Sequence, residues 1–377
     1  MYKRGLKLGF IKGGQLAKMM LQVAPSFDIH TMVMDDDAHC PCRFLCHEYF
    51  SGDAMNFDDV VAFGKRVDIL TFEYEHVNVA ALRQLKASGV AVYPDPDILA
   101  LVQNKGKQKE FYRQHGFPTA NYRLVNNRKL LTTHTDFLPA VQKLCVGGYD
   151  GRGIYKINST QDIDGAFDAP CVLEQAVDID REIAVVVARN MQGDIKTFEA
   201  VEMVFHPTKH LVELLRAPAS ISPELANKAY ALAEDLVKKL DLVGVLAVEF
   251  FVDKKGDLLI NEIAPRVHNS GHHTIEANFT SQFEQHLRAV MGLPLGITTM
   301  ASPAVMINIL GDEGYEGYAK YEGVEQALGL GGVYIHLYGK EITKPFRKMG
   351  HATIVDNNID VALTKARQVK DIIRVRA

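Results

Sequence analysis

The sequence predicts an α/β protein made of two or three compact units, and three observations support this fold class. Its 377 residues, 47% of them hydrophobic, are enough to bury more than one core. Short apolar segments typical of buried strands alternate with helical patterns over the first part of the chain. Further along, two strand-like segments flank the turn sequence Lys254–Lys255–Gly256, which predicts an antiparallel hairpin.

The first unit, residues 1–100, is predicted to be a parallel sheet covered by helices. Helical spacing is present at residues 15–23, directly after Gly13 and Gly14, and again at residues 79–88. A chain that alternates strands with helices joins parallel neighbours through right-handed crossovers. The predicted strands cover residues 6–11, 29–34, 67–72 and 90–93.

The second unit, residues 101–298, is predicted to mix helices with antiparallel strands. Ser222 followed by Pro223 is a typical helix start, and this helix is expected to end near residue 240. The other predicted helices cover residues 105–115 and 279–291, and the predicted strands cover residues 138–143, 154–157, 171–175, 182–188, 245–252 and 257–263. A third unit, residues 299–377, contains short strands and Gly-rich turns.

Composition and charge argue against several classes of protein. The formal net charge of −4 lacks the basic excess of a nucleic-acid binder. No apolar run reaches the roughly 20 residues of a membrane span, and the first residues lack a signal-type apolar stretch. An odd number of cysteines, 5 in a chain of this length, predicts a reducing cytoplasm rather than a disulfide scaffold.

Two glycine-rich segments could hold phosphates. The loop Gly147–Gly153 reads GGYDGRG, and its glycines would let the backbone close over polyphosphate while Arg152 pairs with an anion. The alternative is a flexible surface hairpin. Gly13–Gly14 lies between a strand and a helix, where backbone N–H groups can hold a phosphate or simply make a tight turn. It is not a dinucleotide-binding fingerprint, because Lys12 and Ala17 stand where glycine would be expected.

The predicted hairpin places two carboxylates opposite each other. With Lys255–Gly256 as a two-residue turn, Glu249 faces Glu262 at about 5 Å, where like charges destabilise a sheet. A divalent cation would remove the repulsion, and Mg²⁺ prefers carboxylates together with ATP phosphates. The alternative is that one glutamate forms a salt bridge, for example with Arg266.

The segment 261–271, which covers the end of the second hairpin strand and the loop after it, collects Arg266, His268 and Asn269. Loops at strand ends hold functional sites more often than cores do. We therefore expect an anion site here, although a single histidine is more often structural.

Histidines and cysteines cluster in the first unit, at His39, Cys40, Cys42, Cys46 and His47. Their spacing matches no common closed zinc site. We expect ordinary loop thiols, with a metal site as the alternative.

Together, these segments resemble the 5-(carboxyamino)imidazole ribonucleotide synthase family of the ATP-grasp superfamily. The resemblance rests on GGQL, TFEYEHV, GGYDGRG, the pair Glu174–Gln175 and NEIAPRVHNSGHHT, and extends over VMINILG and GKEITKPFRKMGH. It implies an N-terminal parallel-sheet pre-ATP-grasp domain, a two-lobed ATP-grasp domain whose mobile lobe covers about residues 130–178, and a small β-rich C-terminal domain. The implied reaction uses ATP and bicarbonate to carboxylate aminoimidazole ribonucleotide through carboxyphosphate.

The resemblance also implies roles for individual residues. Lys105 and Lys143 would contact ATP phosphates, Glu174 and Gln175 would line the adenine hinge, and Glu182 would bind the ribose. The implied ATP-binding residues are Lys105, Lys143, Gly148, Tyr149, Asp150, Gly151, Arg152, Gly153, Glu174, Gln175, Glu182, His206, Asn261 and Glu262. Those facing the ribonucleotide are Gln15, Leu16, Glu73, Tyr149, Asp150 and Arg152, with Lys340 and Arg347 on its 5′-phosphate. Glu249 and Glu262 would hold Mg²⁺, or Mn²⁺ in its place, and Arg266, His268 and Asn269 would hold bicarbonate.

Further implications concern partners and rivals. The family resemblance implies a cytoplasmic homodimer that needs no biotin, nucleic acid or membrane. Lys12 and Ala17 replace family glycines, and Asn104–Lys105 stands where the family has Asp–Arg, which keeps a charge but loses bidentate geometry. The rival functions are another ATP-grasp ligase, such as formate-dependent glycinamide ribonucleotide transformylase, and a sensor that binds ATP without turnover.

Overall fold

A parallel sheet forms the N-terminal part of the computed structural model, which describes residues 4–148, 153–205 and 212–377. Its strands lie in the order β3-β2-β1-β4-β5, and every neighbouring pair is parallel. The elements are β1 (Lys7–Ile11), α1 (Gln15–Val23), β2 (His30–Asp35), β3 (Glu48–Ser51), α2 (Phe57–Gly64), β4 (Ile69–Phe72), α3 (Val79–Ala87), β5 (Ala91–Val92) and α4 (Pro96–Val102). The predicted parallel sheet is confirmed.

Strand β3 was absent from the sequence prediction. It is the edge strand beside β2, and its residues are half-buried or exposed. An edge strand lacks the apolar run or alternation by which a buried strand is recognised. Its pairing with β2 is therefore visible only in the folded chain.

A small sheet and a large sheet follow. Three strands of the small sheet, which has the order β6-β9-β7-β8, lie in the segment 130–178 predicted to be the mobile lobe, whereas β6 precedes that segment. The elements are α5 (Lys105–His115), β6 (Tyr122–Val125), β7 (Ala140–Leu144), β8 (Ile154–Ile157), β9 (Cys171–Gln175), β10 (Ile179–Arg189), β11 (Ile195–Thr197), β12 (Val201–Phe205), β13 (Val212–Ala217), α6 (Pro223–Lys239), β14 (Gly244–Asp253), β15 (Leu258–Ala264), α7 (Thr274–Ala277) and α8 (Gln282–Val290). Short 3₁₀ helices cover Ala24–Phe27, Arg128–Phe137, Thr160–Gly165 and Asn269–Gly271.

The C-terminal strands continue the large sheet, which runs β15-β14-β10-β12-β13-β16-β21-β19. Strand β13 pairs with β16, so residues on either side of position 300 share one sheet. The elements are β16 (Ala304–Leu310), β17 (Gly317–Tyr318), β18 (Lys320–Glu322), α9 (Val324–Leu328), β19 (Val333–Leu337), β20 (Ile342–Thr343), β21 (Lys348–Val355), α10 (Ile359–Ile372) and β22 (Arg374–Arg376). The division at about residues 100 and 298 stays a prediction.

The hairpin β14–β15 has the predicted partners but not the predicted turn. The loop is three residues long, closed by a hydrogen bond from Asp253 N to Asp257 O, with Gly256 in the left-handed region at φ 85°. That loop alone would shift the register, but a bulge after Glu249 shifts it back, and Glu249 still pairs with Glu262. The two-residue turn was wrong, and the predicted pair is confirmed.

One hydrophobic core joins distant parts of the chain near the site. Leu8 and Phe10 of β1 pack with Leu16 of α1, Phe283 of α8 and the buried Tyr338 that follows β19. Burying these side chains together brings the loops after β4 and β15 and the segment after β19 to one place, because apolar burial favours their association.

Candidate active site

The residues that the sequence singled out surround a cavity of about 1120 Å³. Its walls come from the loop after β4, the small sheet, the hairpin β14–β15 and the segment between β19 and β21. The predicted residues that line it are Gln15, Leu16, Glu73, Lys105, Lys143, Gly148, Glu174, Gln175, Glu182, Glu249, Asn261, Glu262, Arg266, His268, Asn269, Lys340 and Arg347. Tyr149, Asp150, Gly151, Arg152 and His206 lie outside the described residues, and Gly153 does not line the cavity.

Three carboxylates line the cavity on and beside the hairpin. Glu249 and Glu262 are direct cross-strand partners, and Glu182 of β10 lies on the neighbouring strand. Burial and the negative charges of Glu262 and Glu182 raise the pKa of Glu249 to about 7. Burial also raises the pKa of Glu182 to about 7. Burial therefore disfavours the charged form of both carboxylates, and for Glu249 the neighbouring like charges add to this effect.

Lysines balance part of this charge. Lys105, the first residue of α5, forms an ion pair with Glu262. Burial acts to raise the pKa of Glu262, but the ammonium groups of Lys105 and Lys143 outweigh it and lower that pKa. The alternative of a salt-bridged glutamate is thus correct for Glu262, although its partner is Lys105. Arg266 instead pairs with Glu75 at 2.6 Å.

Glu174 is held between two lysines at the back of the cavity. Its oxygens accept from Lys109 Nζ at 2.8 Å and Lys143 Nζ at 2.7 Å. Lys143 Nζ also donates to Asn261 Oδ1 at 3.0 Å. Burial favours a raised pKa for Glu174, yet Lys143 and Lys109 lower it. Because Glu174 is occupied by these ion pairs, its geometry suits holding the lysines rather than contacting a base.

Sequence reasoning missed Lys109, although a signal for it was present. Lys109 follows Lys105 by four residues on α5, so both lie on one helix face, where Lys105 pairs with Glu262 and Lys109 with Glu174. The side chain is almost fully buried, and burial lowers its pKa while Glu174 opposes that shift.

The loop after β15 brings Arg266 and His268 to the carboxylates. The backbone N–H of Ser270 donates to His268 Nδ1 at 3.3 Å, which leaves Nε2 to carry the proton. His268 Nε2 lies 3.6 Å from Glu249 Oε1. Burial, together with the charges of Arg266 and Lys348, lowers the pKa of His268 to about 3. The imidazole is therefore neutral near pH 7 and can offer a hydrogen bond from Nε2 toward the cavity.

The turn at Gly13–Gly14 holds carboxylates of the protein itself. Gly13 N donates to Asp35 Oδ2 at 2.7 Å, while Gly14 N and Ala17 N donate to the two oxygens of Glu73 at 2.6 and 2.8 Å. These donors are not available to a phosphate, and the tight-turn interpretation is supported. Glu73 borders the cavity, as predicted, but its oxygens secure the start of α1.

A group of basic side chains forms a further wall of the cavity, the basic wall. Lys340 Nζ donates to Lys348 O at 2.8 Å, and Arg347 donates to Ile342 O at 2.6 Å. Lys348 also lines the cavity and was not predicted. The sequence could not separate it from Lys344, which instead pairs with Glu316 at 3.1 Å.

The histidines and cysteines of the first unit make contacts within the protein. Within the part of the chain that the structure describes, no three His, Cys, Asp or Glu side chains are grouped so as to hold a metal ion, and the hairpin offers only the facing pair Glu249 and Glu262. His39 pairs with Glu341 at 3.1 Å, and His47 Nδ1 accepts from Thr31 N at 3.1 Å. Burial raises the pKa of Cys40 to about 11, as expected for a structural thiol.

Family models match three successive segments of the chain. Residues 6–103 match the ribonucleotide synthetase preATP-grasp domain, residues 110–283 the ATP-grasp domain, and residues 304–365 the phosphoribosylaminoimidazole carboxylase C-terminal domain. Among the residues described, no helix is both long and apolar enough to cross a membrane.

Full-length relatives and solved structures agree with these matches. The N5-carboxyaminoimidazole ribonucleotide synthase of Brucella melitensis is 37% identical over 93% of this chain and 96% of its own length. The chloroplastic phosphoribosylaminoimidazole carboxylase of Vigna aconitifolia is 36% identical over 93% of this chain, which spans 64% of that longer protein.

The crystal structure of the Thermotoga maritima N5-carboxyaminoimidazole ribonucleotide synthetase has a TM-score of 0.92 and 39% identity, and covers 99% of each chain. The Aspergillus clavatus enzyme, solved with ADP and 5-aminoimidazole ribonucleotide, has a TM-score of 0.88 and 31% identity over 98% of each chain. This chain therefore belongs to the N5-carboxyaminoimidazole ribonucleotide synthase family of ATP-grasp proteins.

Proposed function

We propose that this protein uses ATP and bicarbonate to carboxylate 5-aminoimidazole ribonucleotide, giving 5-carboxyaminoimidazole ribonucleotide, ADP and phosphate, a step of purine biosynthesis. The observation that carries the proposal is the meeting of crowded carboxylates, lysines and the Arg266–His268 loop at one cavity. The Brucella melitensis relative, which aligns over nearly its whole length, bears the name of this activity.

In this proposal ATP lies between the small sheet and the hairpin. Lys105 and Lys143 contact its phosphates, Gln175 borders the adenine, and Glu182 accepts from the ribose hydroxyls. The stretch around Gly148 covers the phosphates and keeps water from reactive species. The contacts of Lys143 support this arrangement, because its ammonium group pairs with the buried Glu174 and donates to Asn261.

The hairpin carboxylates fit a divalent cation. Glu249 and Glu262 are opposed oxygen donors in a region of crowded negative charge, and hard cations such as Mg²⁺ prefer such oxygens. Glu249 and Glu262 would hold Mg²⁺, or Mn²⁺ in its place, which would neutralise the phosphate charge during transfer.

The reaction needs bicarbonate to be made electrophilic. A bicarbonate oxygen attacks the γ-phosphorus of ATP and breaks its bond to ADP, which gives carboxyphosphate. Carboxyphosphate then splits into carbon dioxide and phosphate, and the substrate amine attacks the carbon while its proton passes to phosphate. Arg266, Nε2 of His268 and Asn269 orient the bicarbonate, so the protein contributes mainly positioning and charge stabilisation.

The ribonucleotide lies toward the basic wall. Lys340 and Arg347 neutralise its 5′-phosphate, and Lys348 adds a third positive charge beside them. Gln15 and Leu16 border the base, with Tyr149, Asp150 and Arg152 predicted to reach it from the loop. We further propose that the enzyme acts in the cytoplasm as a homodimer.

A turnover assay tests the function. ADP release should require ATP, Mg²⁺, bicarbonate and 5-aminoimidazole ribonucleotide together. Equal release with formate and glycinamide ribonucleotide would assign the chain to a transformylase, and ATP binding without ADP release under every condition would indicate a sensor.

A further inference from the structure

A buried glutamine holds the backbone of the proposed bicarbonate loop. Gln282 is the first residue of α8, and its side chain is fully buried. Its Oε1 accepts from His268 N at 2.9 Å, and its Nε2 donates to His268 O at 2.6 Å. One amide thus occupies both backbone groups of the residue whose imidazole faces the cavity.

The far end of the same loop is tied to the same helix start. Gln282 N donates to Thr274 Oγ1 at 2.9 Å, and Thr274 Oγ1 donates to Gly271 O at 2.5 Å. A Cβ added to Gly271 would lie 2.5 Å from Cδ of Gln282, closer than real Cβ contacts. The glycine in the NSGHHT motif therefore leaves room for this amide.

From this geometry we infer that Gln282 is a positioning residue for His268, and that it tunes bicarbonate use without contacting any substrate. Gln282 does not line the cavity, whereas His268 does. These two hydrogen bonds restrain the backbone of His268. Its side-chain torsions are restrained by the contact of Nδ1 with Ser270 Oγ at 2.9 Å. The inference rests on the proposed function, because it takes bicarbonate to be the ligand of this loop.

The chain contains a matched control on the same helix. Gln285 is also fully buried, and its Oε1 accepts from Gly296 N at 2.8 Å while its Nε2 donates to Gly296 O at 3.0 Å. It makes the same pair of backbone hydrogen bonds, but to a segment that does not line the cavity. Removing either amide breaks two buried hydrogen bonds to the backbone, so the losses of stability should be of similar size, although His268 O keeps the N–H of Gly271 as a donor at 3.0 Å.

The experiment compares Gln282→Met with Gln285→Met, because methionine keeps the side-chain length and removes the amide. For Gln282→Met, kcat/KM for bicarbonate should fall about ten- to a hundredfold, the loss expected from a small misplacement of a positioning group. Its KM for ATP should stay within about twofold, and Gln285→Met should change neither value beyond that range. Equal bicarbonate kinetics in the two variants would overturn the inference.

Gly271→Ala reaches the same amide from the other side without deleting a polar group. This variant should also lower kcat/KM for bicarbonate. It tests the inference if Gln282→Met does not fold. Normal bicarbonate kinetics in a folded Gly271→Ala protein would count against the inference.

A structural readout separates this inference from the proposed function. The imidazole ¹⁵N resonances of His268 should shift in Gln282→Met and not in Gln285→Met. If the unsubstituted protein shows no bicarbonate-dependent ADP release, the proposed function is wrong. The His268 resonances still test whether Gln282 positions His268. Unchanged His268 resonances in Gln282→Met would reject that role by themselves.

Discussion

Glu174 and Glu249 border the same cavity but are treated in opposite ways by the fold. Glu174 accepts from Lys109 and Lys143, and these lysines lower its pKa against the effect of burial. Glu249 instead faces Glu262 across the hairpin, and burial together with that like charge raises its pKa to about 7. Lysines of the protein neutralise the first carboxylate, whereas the second has a like charge opposite it.

We therefore expect Glu174 to matter mainly for stability and Glu249 mainly for function. A buried ion pair that loses one partner leaves an uncompensated charge, so Glu174 should matter most for folding. A carboxylate held beside like charges costs stability in the free protein, and it is expected where binding or catalysis needs it. The same substitution, glutamate to glutamine, should therefore have different consequences at the two positions.

The largest effect is expected for Glu174→Gln. It leaves Lys109 and Lys143 without their shared carboxylate, and the free energy of unfolding should fall by about 3–5 kcal/mol. Urea denaturation at neutral pH measures the change. A loss below about 1 kcal/mol would show that the lysines find other partners and that Glu174 is not the centre of a buried network.

Next come Glu249→Gln and Glu262→Gln, which test the other side of the comparison. Each should lower turnover at least about a hundredfold, or roughly 3 kcal/mol, because a charged ligand for the cation is lost. Glu249→Gln should leave the thermal midpoint unchanged or higher, since it relieves like-charge repulsion. ADP release at low Mg²⁺, measured beside thermal unfolding, checks both; near-normal turnover in either variant would refute the paired-carboxylate site.

The smallest change in stability or activity is expected for Glu182→Gln. Burial raises the pKa of Glu182 to about 7 without the like-charge repulsion that acts on Glu249, so this variant isolates the effect of burial. Its ionised form is disfavoured in the folded state, so this cost is absent below about pH 4.5, the ordinary value, and complete above about pH 7. The glutamine variant should thus be more stable than the parent at pH 8 by about 1–3 kcal/mol, with the gain vanishing at acid pH.

Unfolding of both proteins without nucleotide, at pH 5 and pH 8, measures this difference. A gain that is the same at both pH values would mean that charge is not its origin. Weaker ATP binding by the variant should accompany the gain if Glu182 accepts from the ribose.

The sequence by itself determined the features whose physics is local. Apolar runs alternating with helical patterns predict that β1, β2 and β4 are parallel, because each helix carries the chain back to the start of the next strand, but the order of the strands is seen only in the structure. The opposition of Glu249 and Glu262 also followed from strand pairing on either side of one turn. Even there, the three-residue loop and the bulge that compensates for it were decided by the folded hairpin.

Only the tertiary structure shows which groups distant in sequence form hydrogen bonds or ion pairs with one another. Glu73 takes the backbone donors of Gly14 and Ala17, and Gln282 reaches back to His268, because packing α1 and α8 into one core brings these segments together. No periodicity in a sequence records such partners, since a hydrogen bond depends on a separation of about 3 Å in space and not on spacing along the chain. Packing in space likewise decides that Glu174 lies between lysines while Glu249 faces a like charge.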